Sequence, residues 1–143
     1  MQDDELRVLS VAEARAIDVD AARRLGMPTV LLMENAARST AEVARTLGER
    51  FVILAGSGNN GGDGLAAARH LGVSRCTIHL LDEPDPAKAP DAALQARILR
   101  AAGVPLCVGA LPELARHQGA VWIDALFGTG LARELTGSAR TWV

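Results

Sequence analysis

The 143 residues contain no tyrosine and only two phenylalanines and two tryptophans, an aromatic share of 3%. A core must therefore be packed from Ala, Leu and Val, although the length suits one domain with a real core better than two. Lysine occurs once, at Lys88, and the other cations are arginines scattered along the chain. With a formal net charge of −2 and no Lys/Arg-rich stripe to neutralise a run of phosphates, nucleic acid is not expected as a partner. Cys76 and Cys107 each lie in an apolar run without CxxC spacing, which predicts two buried, reduced thiols rather than a disulfide or metal pair. No apolar stretch approaches the roughly 18 residues of a membrane span. The start, Met1-Gln2-Asp3-Asp4-Glu5, is acidic, the wrong charge for a secretory or transit peptide. These absences predict a cytoplasmic protein with no membrane partner.

What is present is an alternation of strand-like and helix-like segments. Ser10-Val11-Ala12-Glu13 has the form of a capping box, and a helix is expected from there to about Leu25, stopped by Gly26 and Pro28. A second helix is expected from Thr29 to about Gly48, with Glu34, Asn35 and Arg38 on its polar side. Phe51 to Ala55 reads as a buried strand, Gly56 to Gly64 as a glycine loop, and Leu65 to Leu71 as the helix after it. Further strands are expected at 75–81, 104–108 and 120–125, with helices at 91–102 and 111–117 and a proline-broken acidic loop at 82–89. This order predicts an α/β fold: a Rossmann-like, doubly wound, mainly parallel sheet with helices on both faces, three layers deep, and two extra N-terminal helices. Those two helices suggest a cap on the sheet or a partner-binding arm.

In such sheets ligands bind beyond the carboxyl ends of the strands, and Gly56 to Asp63, Asp82 and Asp124 all fall there. A glycine loop leading into a helix offers N–H groups and a positive dipole end to phosphate. Gly56-Ser57-Gly58-Asn59-Asn60-Gly61 satisfies GxGxxG, and Asp82 follows at the separation of a ribose-binding acid. Taken alone, that spells a dehydrogenase-like NAD domain. The loop departs from the simple pattern, because Asp63 puts a carboxylate where a pyrophosphate would sit, and Asn59 and Asn60 add amide oxygens able to take a hard cation. Asp63 could equally cap the helix. A second group, Asp124-Ala125-Leu126-Phe127-Gly128-Thr129-Gly130-Leu131, again sets an acid at a strand end beside a glycine turn, unless the acid only ties down its own turn. His70, His79 and His117 read as structural or solvated, and no Ser/His/Asp or Cys/His triad assembles.

Met33-Glu34-Asn35-Ala36-Ala37, Gly58-Asn59-Asn60-Gly61-Gly62-Asp63-Gly64-Leu65 with Ala68-Arg69-His70-Leu71, and the Asp124 to Leu131 string together resemble the YjeF N-terminal domain family, the NAD(P)H-hydrate epimerases. The resemblance implies a Rossmann-like domain over residues 1–143, roughly the first two-thirds of the family's domain. It implies interconversion of the R and S forms of NADHX and NADPHX, an isomerase reaction of nucleotide repair, and assembly as a homodimer. Asn59, Asn60, Gly61, Gly62 and Asp63, with Gly128, Thr129, Gly130, Leu131, Ala132, Arg133 and Glu134, would bind the substrate. Asn60 and Asp124 would hold a potassium ion. Asp124 is also the carboxyl expected to serve as the acid and base. The family's later Val-Asp-Ile-Pro-Ser-Gly type motif does not occur in this sequence. The alternative is therefore a catalytically incomplete nucleotide- or protein-binding module of the same fold.

Overall fold

The computed structural model describes residues 8–143; the acidic Met1 to Glu5 segment lies outside them. Helix α1 (Val11–Arg24) starts on the expected capping box, with Ser10 and Glu13 each accepting from the other's backbone N–H. Helix α2 (Thr29–Leu47) follows, then β1 (Phe51–Ala55), α3 (Asn59–Leu71), β2 (Cys76–Leu80), α4 (Pro90–Ala101), β3 (Leu106–Val108), β4 (Val121–Ala125) and α5 (Gly137–Trp142). Short 3-10 turns stand at Val73–Arg75 and Leu114–His117, the second in place of the short helix expected at 111–117.

The four strands are parallel, in the order β3-β2-β1-β4. The chain thus steps outward from β1 to β3 and then returns to the other side of β1. Right-handed crossovers in the two directions put their connections on opposite faces of the sheet. Helices α2, α3 and α4 cover one face, where Ala41, Ala44, Leu65, Ala68, Leu71, Ala96 and Leu99 pack on Phe51, Ile53, Ala55, Ile78 and Leu80. The opposite face carries the Leu114–His117 turn of the return crossover and the six-residue α5, whose Trp142 packs with Leu81 and Leu126. Cover on the two faces is thus unequal.

The scarcity of aromatics is met by close approach. Ala37, Ala66, Ala67 and Ala68 are fully buried, and Met33 and Ala37 of α2 pack on Ala66 and Ala67 of α3. Small side chains let the two helices and the sheet come together; each buried Leu, Ile or Phe then adds ~1.5–3 kcal/mol. A polar seam binds the helical layer. Glu34 of α2 accepts from Arg69 and, at 2.9 Å each, from His70 Nε2 and Gln95 Nε2, linking α2 to α3 and α4. Burial acts to raise the Glu34 carboxyl, but the hydrogen bonds from Gln95, Arg69 and His70 outweigh it and hold the group below its ordinary value. Glu34, expected on the polar side of its helix, is thus turned into the layer, while His70 is structural as expected.

Helix α3 begins six residues earlier than the sequence suggests. Asn59 to Gly64 is the first half of the helix rather than loop. The intrinsic cost of glycine in a helix, ~1 kcal/mol each, is offset because neighbours come too near for a side chain. A Cβ on Gly61 would lie 1.8 Å from the Gly56 carbonyl oxygen, and one on Gly64 would lie 2.6 Å from Ala125 Cβ. Helix α5 was not expected at all. Cys76 and Cys107 are free thiols, half-buried rather than buried.

Candidate functional site

The reversal of strand order between β1 and β4 leaves a crevice at their carboxyl ends, the place where doubly wound sheets bind ligands. An open cleft of about 1450 Å³ occupies it. One wall is the start of α3, with Ser57, Gly58, Asn59, Asn60 and Asp63; the other is the β4 turn from Leu126 to Arg133. The two walls touch at the base, where a Cβ on Gly56 would meet the Leu126 carbonyl oxygen at 2.0 Å. Asp82 closes one end of the cleft, beyond β2.

The third wall is α1, which contributes Val11, Ala14, Arg15 and Asp18 from one helical face. Among its residues none is buried, so it sits on the body as a cap rather than as part of the core. Arg15 ties it across the cleft by donating from Nε (3.2 Å) and Nη2 (3.0 Å) to Thr129 Oγ1. This wall is missing from the sequence-predicted site. The i, i+3, i+4, i+7 spacing of those four residues was the available signal.

At the start of α3 the first intrahelical bond runs from the Gly62 N–H to the Gly58 carbonyl, with no side chain capping the end. The N–H groups of Asn59, Asn60 and Gly61 therefore lack helical acceptors and present a positive dipole end to an anion. Asp63 stands one turn further along. Burial pushes its carboxyl up to about 6, and the Asp18 charge from α1 pushes the same way. The carboxyl can thus hold and release a proton near neutral pH, and in its protonated form it does not repel a phosphate beside it.

The sequence-predicted residues separate into three groups. Asn59, Asn60, Asp63, Gly128, Thr129, Gly130, Leu131, Ala132 and Arg133 line the cleft together. Gly61 and Gly62 are buried behind its wall, where Gly62 packs on Met33. Glu134 and Asp124 are exposed and lie outside the lining. Asp124 is at the end of β4 opposite Leu54, and its Oδ1 accepts from the Leu126 N–H at 3.0 Å.

The family model described as YjeF-related protein N-terminus matches residues 30–143. The chain belongs to this family. Its sequence is 35% identical to an NAD(P)H-hydrate epimerase of Levilactobacillus brevis over 92% of the chain and 61% of that protein. It is 37% identical to an NAD(P)H-hydrate epimerase of Rhodopirellula baltica over 93% of the chain and 57% of that protein. A bifunctional NAD(P)H-hydrate repair enzyme Nnr of Thermofilum pendens matches at 36% over 94% of the chain and 28% of its own length. Among solved structures, yeast ynu0 (YNL200c) superposes with a TM-score of 0.74 at 25% identity, covering 92% of the chain and 60% of the yeast protein. The YjeF-related domain described here therefore spans about three-fifths of the curated epimerases it matches. Its fold is the Rossmann-like one expected.

The potassium site implied by the resemblance is compatible with the chemistry of the residues present. Asn60 lies against the Gly128 turn, where a Cβ would come within 3.2 Å of its own Cβ, so the absent side chain leaves room beside its amide. Asp124 keeps Oδ2 unengaged among the described residues and sits four residues before that turn. An amide oxygen and a carboxylate oxygen are hard donors of the kind such an ion takes.

Proposed function

We propose that this domain is an NAD(P)H-hydrate epimerase, interconverting the R and S forms of NADHX and NADPHX. The observation that carries the reading is Asp63, a carboxyl with a pKa raised to about 6, in the same cleft wall as the free N–H groups of α3. In the hydrated nicotinamide ring, the hydroxyl-bearing carbon adjoins a nitrogen whose lone pair can expel the hydroxyl. Asp63 gives its proton to the leaving oxygen as the C–O bond breaks, producing water and an iminium-type ring. The resulting carboxylate then takes a proton from water adding to the opposite face, and the C–O bond re-forms with inverted configuration. The pyrophosphate rests on the N–H groups of Asn59 to Gly61, and the Gly128 to Arg133 turn holds the ring half.

In this reading Asp124 serves with Asn60 as a potassium ligand and is not the acid. The ion supplies a fixed positive charge when bound. The proposal includes a homodimer, supported by apolar residues exposed on α1, at its C-cap and on α2: Ile17, Val19, Leu25, Leu31, Val43 and Leu47. It also includes a cytoplasmic location, which suits the free thiols Cys76 and Cys107. Among the described residues, no helix is long and apolar enough to cross a membrane.

The test is to follow the R and S forms of NADHX by NMR, with and without protein and potassium. Acceleration that Asp63→Asn abolishes and Asp124→Asn weakens in a potassium-dependent manner supports the assignment. No acceleration by the wild type overturns the enzyme reading.

A further inference from the structure

Epimerisation of the hydrated ring asks for proton transfer on two faces. The hydroxyl leaves from one face, and the water that replaces it adds to the other. Asp63 is fixed in the α3 wall of the cleft, so it works from one side of a ring held on the Gly128 to Arg133 turn. Water adding on the far side needs a proton acceptor within hydrogen-bond reach there before the proton can return to Asp63.

Helix α1 supplies one. Arg15 fastens it over that turn through Thr129 Oγ1, and Asp18, one helical turn further along the same face, lines the cleft with it. Of the other charged side chains lining the cleft, Arg15 is engaged on Thr129, Arg133 lies on the β4 turn and Asp82 at the β2 end. Asp18 is exposed, and neither it nor Asp63 has a hydrogen bond or ion pair among the described residues. Two carboxyls without a cation thus meet one cleft from different walls, an arrangement that favours a single proton between them. Burial settles that proton on Asp63, whose carboxyl is pushed up to about 6, and Asp18 supplies the charge that adds to the rise.

We propose that Asp18 is a second catalytic residue, the base that takes the proton of water adding to the ring face opposite Asp63 and returns that proton to Asp63. The role rests on the epimerase reading and deepens it. Asp63 protonates the departing hydroxyl, the C–O bond breaks, and the nitrogen lone pair forms the iminium-type ring. The oxygen of a second water then bonds the same carbon from the α1 side as the C=N electrons return to nitrogen. Asp18 takes the proton released and passes it through solvent in the open cleft to the Asp63 carboxylate, so the protein ends as it began. In the reverse direction the proton travels from Asp63 to Asp18 and on to the hydroxyl of the other epimer. Without Asp18, Asp63 still expels the hydroxyl and returns water to its own face, which exchanges oxygen without inversion.

The experiment gives the 143-residue chain the R form of NADHX with its ring hydroxyl oxygen isotopically labelled. Loss of label is read by mass spectrometry and inversion by NMR, for the wild type, Asp18→Asn and Asp18→Glu. Asp18 is exposed and unpaired, so neither substitution disturbs the fold. In Asp18→Asn inversion should fall at least ~100-fold while label loss stays within ~3-fold of wild type. Asp18→Glu, which keeps a carboxylate on the same helix face, should invert at least ~10-fold faster than Asp18→Asn. A purely structural cap would move label loss and inversion together. Equal loss of both, or unchanged inversion in Asp18→Asn, overturns the role of Asp18 and leaves the epimerase reading standing. A wild type that neither inverts nor exchanges overturns that reading, and this role with it.

Discussion

Replacing Asp63 by asparagine should make the folded protein more stable while removing the proton that the proposed epimerisation needs. The Asp63 carboxyl is held near 6 in the folded chain, whereas an unburied aspartate titrates at 3.8. The folded state therefore binds this proton more tightly than the unfolded chain does. Stability must fall as pH rises from about 4 to about 6, and the full penalty stands above that window. At about 1.4 kcal/mol per pH unit, the ceiling is ~3 kcal/mol. Water reaching the partly exposed group screens the charge and reduces this to ~1–2 kcal/mol. Asparagine keeps the shape and has no charge to desolvate. For a chain of this size the gain corresponds to about 3–8 °C in Tm. Thermal unfolding followed by circular dichroism should show the two proteins coinciding below about pH 4 and separating progressively up to about pH 7. Asp18→Asn should give a smaller gain of the same sign, because its charge is the lesser of the two causes. A variant no more stable than wild type at pH 7, or a gap that does not change with pH, would refute the argument that Asp63 is desolvated without compensation.

Glu34→Ala should destabilise the domain by ~2–3 kcal/mol in urea unfolding, because Gln95, 1% exposed, loses the acceptor for its amide. The Glu34 pKa is depressed, so its contribution is present above the ordinary value of 4.5 and is lost on acidification, and the difference from wild type should close as the pH falls below that value. Gly61→Ala should yield no dispersed amide NMR spectrum, since its Cβ would overlap backbone at 1.8 Å rather than a movable side chain.

The sheet was legible because each strand is a short apolar run bounded by polar or glycine residues, a local pattern. The boundary of α3 was not, because Asn-Asn-Gly-Gly-Asp-Gly is a loop composition by propensity, and only the close approach of Gly56, Met33 and Ala125 makes it a helix. The cleft walls at Asn59 to Asp63 and Gly128 to Arg133 were found from motif and strand-end position. The α1 wall was overlooked because Arg15 and Asp18 reach the site only through tertiary placement. The outward position of Asp124 was available in principle. Val121 and Ile123 pack on the main core, so alternation sends Trp122 and Asp124 to the other face. A strand-end acid draws attention for its chemistry, and its parity is easily overlooked.

The seam between β1 and β4 joins segments about 70 residues apart, Leu54 facing Asp124 across it. Pairing so distant in sequence carries a large loop-closure cost and belongs to the slow part of folding. The cleft has no existence before that pairing is made, because its two walls are the continuations of those two strands. A nucleotide that binds only the closed seam must therefore favour the docked state of β4 by mass action. On the proposed reading, ligand binding and the integrity of the domain are in this way linked: without ligand, β4 is held only by its own pairing and packing, and its amide protons should be the ones whose exchange slows when a nucleotide is added.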